Sequence, residues 1–222
     1  MTVVIVKGIE RMAGNSRQRM IESAAVLLAK RGLQATAFSD VIERSGAPRG
    51  SIYHHFPGGK DELVDAAIDL AGDRALRVLD AVEGRPPAEV TGYFIDLWRA
   101  VLVRSHLTAG CAVLAVTVAT DSPELLEHAA AIFRAWRGRL AELYVSGGMS
   151  PTAATRLAAT VVAATEGAVV VSRAEQSLEP FEEVAKALLA MTAAAASAPE
   201  GAQGASEQSE RAAGVRRRKP AQ

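Results

Sequence analysis

Residues 38–56, FSDVIERSGAPRGSIYHHF, decide the fold that the sequence predicts. Apolar residues at helical spacing predict a short helix over about Phe38–Ser45 and a second from Pro48 to about Phe56. Ser45-Gly46-Ala47 stands between them, and glycine in such a turn permits a backbone conformation that other residues resist. Two short helices joined in this way are typical of a helix-turn-helix, although three ordinary short helices in a bundle would give a similar pattern.

The second predicted helix carries residue types that suit the reading of DNA. In a helix-turn-helix this helix enters the major groove and presents its N-terminal residues to base edges. Arg49 can bind guanine O6 and N7 together, Gly50 permits close approach, and Ser51 can bond a base or a phosphate. Tyrosine and histidine can donate to phosphate oxygens, and a lysine at the start of the next helix can bind a phosphate beside free N–H groups. The predicted DNA-binding residues are Arg49, Gly50, Ser51, Tyr53, His54, His55 and Lys60.

Residues 16–68, SRQRMIESAAVLLAKRGLQATAFSDVIERSGAPRGSIYHHFPGGKDELVDAAI, resemble the DNA-binding domain of the TetR family. The match is close at Gly32, in the glycine turn, over residues 50–56, and at Lys60 and Leu63. The resemblance implies a homodimeric, ligand-responsive regulator, usually a repressor, that binds a palindromic operator.

Two positions depart from the family pattern. Pro48 stands where the family has a serine or threonine cap, and loss of that cap costs about 1 kcal/mol. We expect Pro48 to act instead as the first helical residue. Ala37 stands where the family often has a threonine that contacts phosphate, so Thr36 is predicted to replace it.

The charge distribution agrees with DNA binding at one end of the chain. The net charge is zero overall, yet residues 1–60 carry 9 basic and 4 acidic residues, a net of +5. Residues 61–200 carry 11 and 19, a net of −8, and residues 201–222 carry 5 and 2, a net of +3. A basic head on an acidic body indicates that only the head meets a polyanion, although charge alone does not exclude chance clustering.

The whole chain is predicted to be all-α, with about nine helices and four regions. Residues 1–15 are expected to be a disordered extension before a first helix that starts at Ser16, and residues 16–62 to form the helix-turn-helix domain. Residues 63–195 are expected to form a ligand-binding and dimerisation domain, with helix starts at Lys60, Ser122-Pro123 and Ser150-Pro151. The Val-rich run 110–120 is assigned to a short helix because a lone strand leaves its backbone unsatisfied. Residues 196–222 are expected to be a disordered basic tail.

Short motifs in the second half resemble the LmrA/YxaF-like branch of the family, namely AGCAV at 109–113, FRAW at 133–136 and EGA at 166–168. The resemblance implies an effector pocket lined by apolar and aromatic residues, with ordinary core packing as the alternative for each of them. Glu166 and His128 are either polar anchors in that pocket or residues on solvated faces. The predicted ligand-binding residues are Phe94, Trp98, Leu102, Leu114, Thr117, Phe133 and Trp136.

The resemblance also implies that the last two long helices pair with their copies in a dimer. Surplus apolar faces on these helices support this, since a lone domain needs one buried stripe per helix. The predicted interface residues are Ala158, Val161, Val162, Thr165, Val169 and Val170 on one helix, and Phe181, Val184, Leu188 and Met191 on the other.

Other functional classes lack sequence support. We find no Gly-rich phosphate loop, paired metal motif or catalytic triad in context, so the chain is predicted not to be an enzyme and to use no cofactor or metal. The single cysteine, Cys111, excludes an internal disulfide, and no stretch approaches the length of a membrane span, so a cytoplasmic location is expected. An architectural DNA-binding protein without an effector is the alternative function.

Overall fold

The computed structural model describes residues 2–197, with side chains from residue 16 onward, and these residues form nine α-helices. No strand occurs within this range, so the predicted all-α class is confirmed. The helices are α1 Thr2–Arg31, α2 Phe38–Ser45, α3 Ser51–His55, α4 Lys60–Asp80, α5 Pro87–Arg104, α6 Ala112–Thr117, α7 Pro123–Ser146, α8 Pro151–Glu175 and α9 Glu179–Ser197.

Local capping explains why several predicted helix starts are confirmed. The Ser122 hydroxyl accepts the N–H of Leu125 at 3.2 Å at the start of α7, and Ser150 does the same for Ala153 at 3.4 Å at the start of α8. A proline follows each serine and needs no N–H partner in the first turn. The Val-rich run forms the short helix α6, as predicted, since no neighbouring strand exists among residues 2–197.

The predicted start of the first helix at Ser16 is wrong, because α1 begins at Thr2. Residues 2–15, expected to be a disordered extension, continue the helix N-terminally. No proline interrupts this stretch, and isolated glycines such as Gly8 and Gly14 weaken a helix without ending it. At the other end α9 reaches Ser197, and the rest of the predicted basic tail lies outside the described residues.

The N-terminal helices form a small head on a larger helical body. α1 and α2 pack together, and α3 contacts α1. The centre of this head is apolar, with Leu28, Val41, Ile52 and Phe56 almost fully buried. α4 leaves the head directly after α3, packs along α1, and then packs against α7 in the body. α4 therefore connects the two parts of the molecule.

The body is built around α7, α8 and α9. α8 packs against both α7 and α9, and α5 lies against α9. By length and composition α8 could cross a membrane, which the sequence analysis had excluded, but half of its apolar window is buried in the protein. Its packing between two neighbours is that of a core helix.

Candidate nucleic-acid interface and internal cavity

The turn between α2 and α3 has the geometry that its glycine predicts. Gly46 has φ of 63°, in the left-handed region, and its N–H donates to the carbonyl of Ile42 at 3.0 Å to close α2. The hydroxyl of Ser45 accepts the N–H of Ala47 at 3.3 Å and so fixes the next step of the chain. The turn is thus held by its own hydrogen bonds.

The expectation that Pro48 is the first residue of the second helix is wrong. α3 begins at Ser51, and the carbonyl of Pro48 accepts both the N–H of Ser51 at 3.0 Å and its hydroxyl at 2.6 Å. These bonds close a tight turn of four residues, Pro48 to Ser51, so Arg49 and Gly50 precede the helix. The missing serine or threonine cap at position 48 explains the late start, because no side chain there accepts a backbone N–H.

α3 has one buried face and one exposed face. Ile52 and Phe56 are 1 % and 0 % exposed and anchor the helix in the head. Tyr53 is 69 % exposed, and its ring meets Phe38 edge-on at 5.7 Å between centroids. The anchors therefore hold the opposite face of a very short helix in a fixed orientation toward solvent.

The structure brings most of the predicted DNA-binding residues to this exposed surface. Arg49, Gly50, Tyr53 and His54 are exposed, and His55 is half-buried beside His54, with ring centroids 5.4 Å apart. Ser51 is also half-buried. Its hydroxyl still has oxygen lone pairs free to accept a hydrogen bond after donating to Pro48.

Thr36 lies away from the exposed surface that carries Arg49, whereas Lys60 stands at the start of α4, as predicted, and is half-buried. Thr36 is 3 % exposed and its hydroxyl donates to the carbonyl of Gly32 at 2.8 Å, so it does not share the surface with Arg49. The ammonium of Lys60 donates to the carbonyl of Leu33 at 2.8 Å, which joins the start of α4 to the end of α1. Both side chains close the segment after α1, a role that local sequence spacing did not reveal.

One cation beside this surface was missed by the sequence analysis. The guanidinium of Arg17 lies over the ring of Phe56, 5.1 Å from its centroid, and the residue is exposed. Burial, followed by the charges of His54 and Arg17, lowers the pKa of His55. Arg17 therefore adds a cation beside this surface, while His55 loses its proton more readily than an ordinary histidine. The only available sequence signal was a basic residue at the predicted start of the first helix.

The body contains an apolar cavity of about 240 Å³ between α1, α4, α5, α7 and the segment before α6. Trp98 and Trp136, the two tryptophans of the chain, both line it, with ring centroids 6.1 Å apart. The remaining lining residues are Ala25, Val26, Ala29, Ala71, Arg74, Ala75, Leu97, Val101, Ala109, Gly110, Cys111 and Ala112.

The other predicted ligand-binding residues do not line this cavity. Phe94 and Leu102 are fully buried, and Phe94 meets Trp98 edge-on at 6.5 Å. Phe133 packs edge-on against Trp136 at 5.4 Å. Leu114 lines a separate recess near Arg173, and Thr117 donates its hydroxyl to the carbonyl of Val113 at 2.9 Å. These side chains pack behind the cavity wall or in the core, which agrees with the alternative of ordinary core packing.

The two tryptophans differ in hydrogen bonding. Trp136 donates its indole N–H to the carbonyl of Gly72 at 3.1 Å, where α4 and α7 cross closely. The buried indole N–H of Trp98 has no hydrogen-bond partner among the described residues. A buried donor without a partner is costly to the fold.

Glu166 is buried rather than on a solvated face. It is 6 % exposed, and in the described part of the chain no N–H or O–H group donates to either carboxylate oxygen. Burial raises the pKa of Glu166 to about 7, and the neighbouring Cys111 thiol partly opposes this. Burial and the Glu166 carboxyl together raise the pKa of Cys111, so this thiol is not activated as a nucleophile.

His128 links α7 to α4 through two carboxylates. Its Nδ1 lies 2.7 Å from Asp65 and its Nε2 2.6 Å from Asp69. Burial alone would lower the pKa of His128, but the hydrogen bonds to both carboxylates outweigh it and the pKa is raised. Farther along the same seam Arg139 donates to Asp80 at 2.8 Å. His128 is therefore part of the α4–α7 contact and not an anchor in the cavity.

The faces predicted for a dimer interface are largely the core of a single chain. The buried members are Ala158, Val161, Val162, Thr165, Val169, Phe181 and Leu188. The reason is that α8 is covered on two sides, by α7 and α9, so more than one stripe of it is buried internally. Four large apolar side chains of α8 and α9 stay exposed, namely Val170, Val171, Leu189 and Met191.

Family models match both halves of the chain. Residues 20–67 match the bacterial regulatory proteins of the tetR family, and residues 87–187 match the C-terminal domain of LmrA/YxaF-like transcriptional regulators.

Within the described residues, no group of three or more potential metal ligands occurs.

Curated relatives cover most of the chain. An uncharacterised HTH-type transcriptional regulator of Mycobacterium tuberculosis is 36 % identical over 179 residues, which are 78 % of this chain and 91 % of that protein. HTH-type transcriptional regulator LmrA of Bacillus subtilis is 26 % identical and aligns over 79 % of this chain and 95 % of its own length.

Solved structures share the fold. A TetR transcriptional regulator from Chloroflexus aurantiacus superposes with a TM-score of 0.68 and 28 % identity, over 81 % of this chain and 95 % of that one. The regulatory protein TetR from Rhodobacter sphaeroides gives a TM-score of 0.71 at 20 % identity, over 79 % and 98 %.

Proposed function

The chain belongs to the TetR family of transcriptional regulators, in its LmrA/YxaF-like branch, and we propose that it is a repressor released by a small ligand. In this proposal a homodimer binds a palindromic operator in the cytoplasm, and an apolar or aromatic effector in the body weakens that binding. Proteins of this family are regulators and not enzymes, which agrees with the lack of catalytic motifs in the sequence.

The observation that carries the proposal is the rigid, exposed presentation of Arg49, Tyr53 and His54 beside two buried anchors, Ile52 and Phe56. A short helix can read base edges only when its scaffold fixes its position in the groove. Arg49 is the residue suited to guanine, while Tyr53 and the histidines are suited to phosphate. In this assignment residues 16–62 are the DNA-binding domain and residues 63–195 the ligand-binding and dimerisation domain.

The proposed dimer uses the apolar side chains that remain exposed on α8 and α9. Val170 and Met191 are each 48 % exposed, and with Val171 and Leu189 they leave large apolar side chains of both helices open to solvent. Pairing of these helices with their copies would cover them. It would also place two recognition helices on one duplex, which supplies the affinity that a single half-site lacks.

The proposed effector site is the cavity lined by the two tryptophans. α4 contributes Ala71, Arg74 and Ala75 to its wall, and the same helix begins at Lys60, directly after the recognition segment. A ligand that displaces α4 would change the distance between the two recognition helices of a dimer. Ligand and operator are then coupled reciprocally, with a typical coupling of about 1–3 kcal/mol.

A charged substitution in the proposed dimer face tests the assembly. Val170→Glu is expected to give a monomer in analytical ultracentrifugation and to lose duplex binding, because a buried unpaired carboxylate opposes association. Val103→Glu, on the exposed part of α5, is the matched control and should leave both properties unchanged. If Val170→Glu stays dimeric with normal DNA affinity, the interface lies elsewhere.

A competition assay distinguishes the proposed repressor from an architectural DNA-binding protein. A repressor is expected to prefer a retained genomic fragment over a scrambled duplex of the same length by at least about a thousandfold, the lower range for specific DNA-binding proteins. Equal competition by the scrambled duplex would favour the architectural function.

A further inference from the structure

A second recess lies next to the tryptophan cavity, where head and body meet. Its walls come from α1, α2 and α4, and it is polar where the cavity is apolar. Val26 and Arg74 line both spaces, so the two share a wall. A molecule with one apolar and one polar part could therefore occupy both.

Three arginines from three different helices line this recess: Arg19 of α1, Arg44 of α2 and Arg74 of α4. Between residues 16 and 197, neither Arg44 nor Arg74 forms an ion pair or a side-chain hydrogen bond. Arg19 donates one bond to the hydroxyl of Ser16 at 3.3 Å, but its buried Nε has no partner in the same range.

One carboxylate, Glu22, also lines the recess and opposes an incoming anion. It accepts a hydrogen bond from the side-chain amide of Gln18 at 3.0 Å and forms no ion pair with the three arginines. Three guanidinium groups against one carboxylate leave the recess with a surplus of two positive charges. Guanidinium groups that line one recess and form no ion pair are suited to carboxylate, sulfonate or phosphate groups.

We propose that the ligand is an amphipathic anion, with its apolar body between Trp98 and Trp136 and its anionic group on Arg74, Arg44 and Arg19. The proposal rests on the effector site described above and gives its ligand a chemical class.

The position of the anionic group also supplies a route from ligand to DNA. Arg44 lies in the last turn of α2, next to the glycine turn that sets the direction of α3, whereas Arg74 lies in the middle of α4. An anion held by both arginines would join the head to the body at one fixed distance. Binding would therefore restrict the movement of the recognition segment relative to α4.

A matched pair of fluorescent probes tests this class. Anilinonaphthalene sulfonate and N-phenylnaphthylamine share one apolar body and differ by the sulfonate group. Both tryptophans of the chain line the cavity, so quenching of their emission reports occupancy there. The sulfonate probe is expected to bind the full-length protein about tenfold more tightly than the neutral probe, the ratio that one charge-assisted contact supplies.

Three variants locate the two parts of the ligand. Arg74→Gln should remove the preference for the sulfonate probe and leave the neutral probe unchanged, whereas Ala71→Leu should weaken both because it fills the cavity. Arg77→Gln, one turn away on α4 and outside both recesses, is the control and should change neither. Circular dichroism confirms that each variant keeps its helix content.

The proposal is overturned if the two probes bind equally, if neither binds, or if Arg74→Gln weakens both alike. It is also overturned if Arg74→Gln loses duplex affinity without any probe, since the recess would then hold a DNA phosphate. A separate measurement addresses the proposed function. The sulfonate probe could bind in a way that depends on Arg74 and yet leave the affinity for the duplex unchanged. That result would support the anion site and refute its role as an effector site.

Discussion

The recognition surface of the head and the interior of the body leave polar groups without partners in opposite places. On the recognition surface they are exposed: among the described residues, Arg49, Tyr53 and His54 face solvent around buried anchors. In the body they are buried, where the indole N–H of Trp98 and the carboxyl of Glu166 have no hydrogen-bond partner among the described residues. The difference indicates that the head is arranged to meet a partner at its surface, whereas the body is arranged to take one into its interior.

The largest expected effect tests the outward-facing surface. Arg49→Ala is expected to weaken specific duplex binding by about 1–3 kcal/mol in each half-site and to relax preference for one base pair, since Arg49 is assigned to a guanine. Fluorescence anisotropy with the preferred duplex and with substituted duplexes measures both effects. Arg77→Ala, exposed on α4, is the control. An equal loss of affinity for specific and random duplexes would show that Arg49 does not read a base directly.

Glu166 tests the inward-facing groups through the pH dependence of stability. Its folded-state pKa is about 7, above the ordinary value of 4.5, so the folded protein binds the extra proton. Its favourable contribution is complete below pH about 4.5 and is lost as the pH rises through about 7. When the pH is raised from 5 to 8, the free energy of unfolding of the wild type should therefore fall relative to that of Glu166→Gln. The expected difference between the two proteins is on the order of 2–3 kcal/mol.

Urea unfolding at the two pH values gives this difference, with Glu175→Gln, an exposed residue of the same helix, as the control. His128 is present in all three proteins, so its own titration cancels. If the wild type and Glu166→Gln show the same pH slope, the buried carboxyl is paired in solution and the contrast between head and body weakens.

The two tryptophans allow a finer test inside the cavity. Trp136→Phe removes the hydrogen bond that the indole donates to the carbonyl of Gly72, whereas Trp98→Phe removes an N–H that has no partner in the described residues. Trp136→Phe should therefore destabilise the protein by about 1 kcal/mol more than Trp98→Phe. Thermal and urea unfolding of the two variants measure the difference. Equal losses would mean that the Trp98 N–H is already satisfied.

The smallest expected effect concerns the contact of His128 with α4. The raised pKa of His128 means that its contacts with Asp65 and Asp69 stabilise the fold fully at pH below about 6.5 and weaken as the pH rises through the higher folded-state pKa. His128→Gln should cost less than about 1 kcal/mol at pH 6, and still less at pH 8, because the pair is partly exposed. A larger loss at pH 8 than at pH 6 would contradict this assignment.

Much of the fold could be predicted from sequence because its signals are local. A serine followed by proline marks the starts of α7 and α8, and Gly46 marks the turn, through contacts within four residues. The start of α3 was misplaced because Pro48 fits both a first helical residue and a turn, and the hydrogen bonds of Ser51 decide between them.

The candidate sites were less predictable where they depend on distant packing. Trp98 and Trp136 line the cavity whereas Phe94 and Phe133 pack behind them, and spacing along a helix does not separate these outcomes. Glutamate is usually an exposed residue, yet Glu166 is buried because α8 is covered by both α7 and α9. Thr36 and Lys60 bond to carbonyls after α1, contacts that exist only once the head has folded.

Sequencing the genomic fragments that the purified protein retains tests the central claim most directly. Two recognition segments held in fixed orientation by one dimer predict an enriched palindrome whose half-sites lie about one DNA turn, or a small multiple of it, apart. Retention of fragments without a shared motif, or of a single unpaired half-site, would contradict the account.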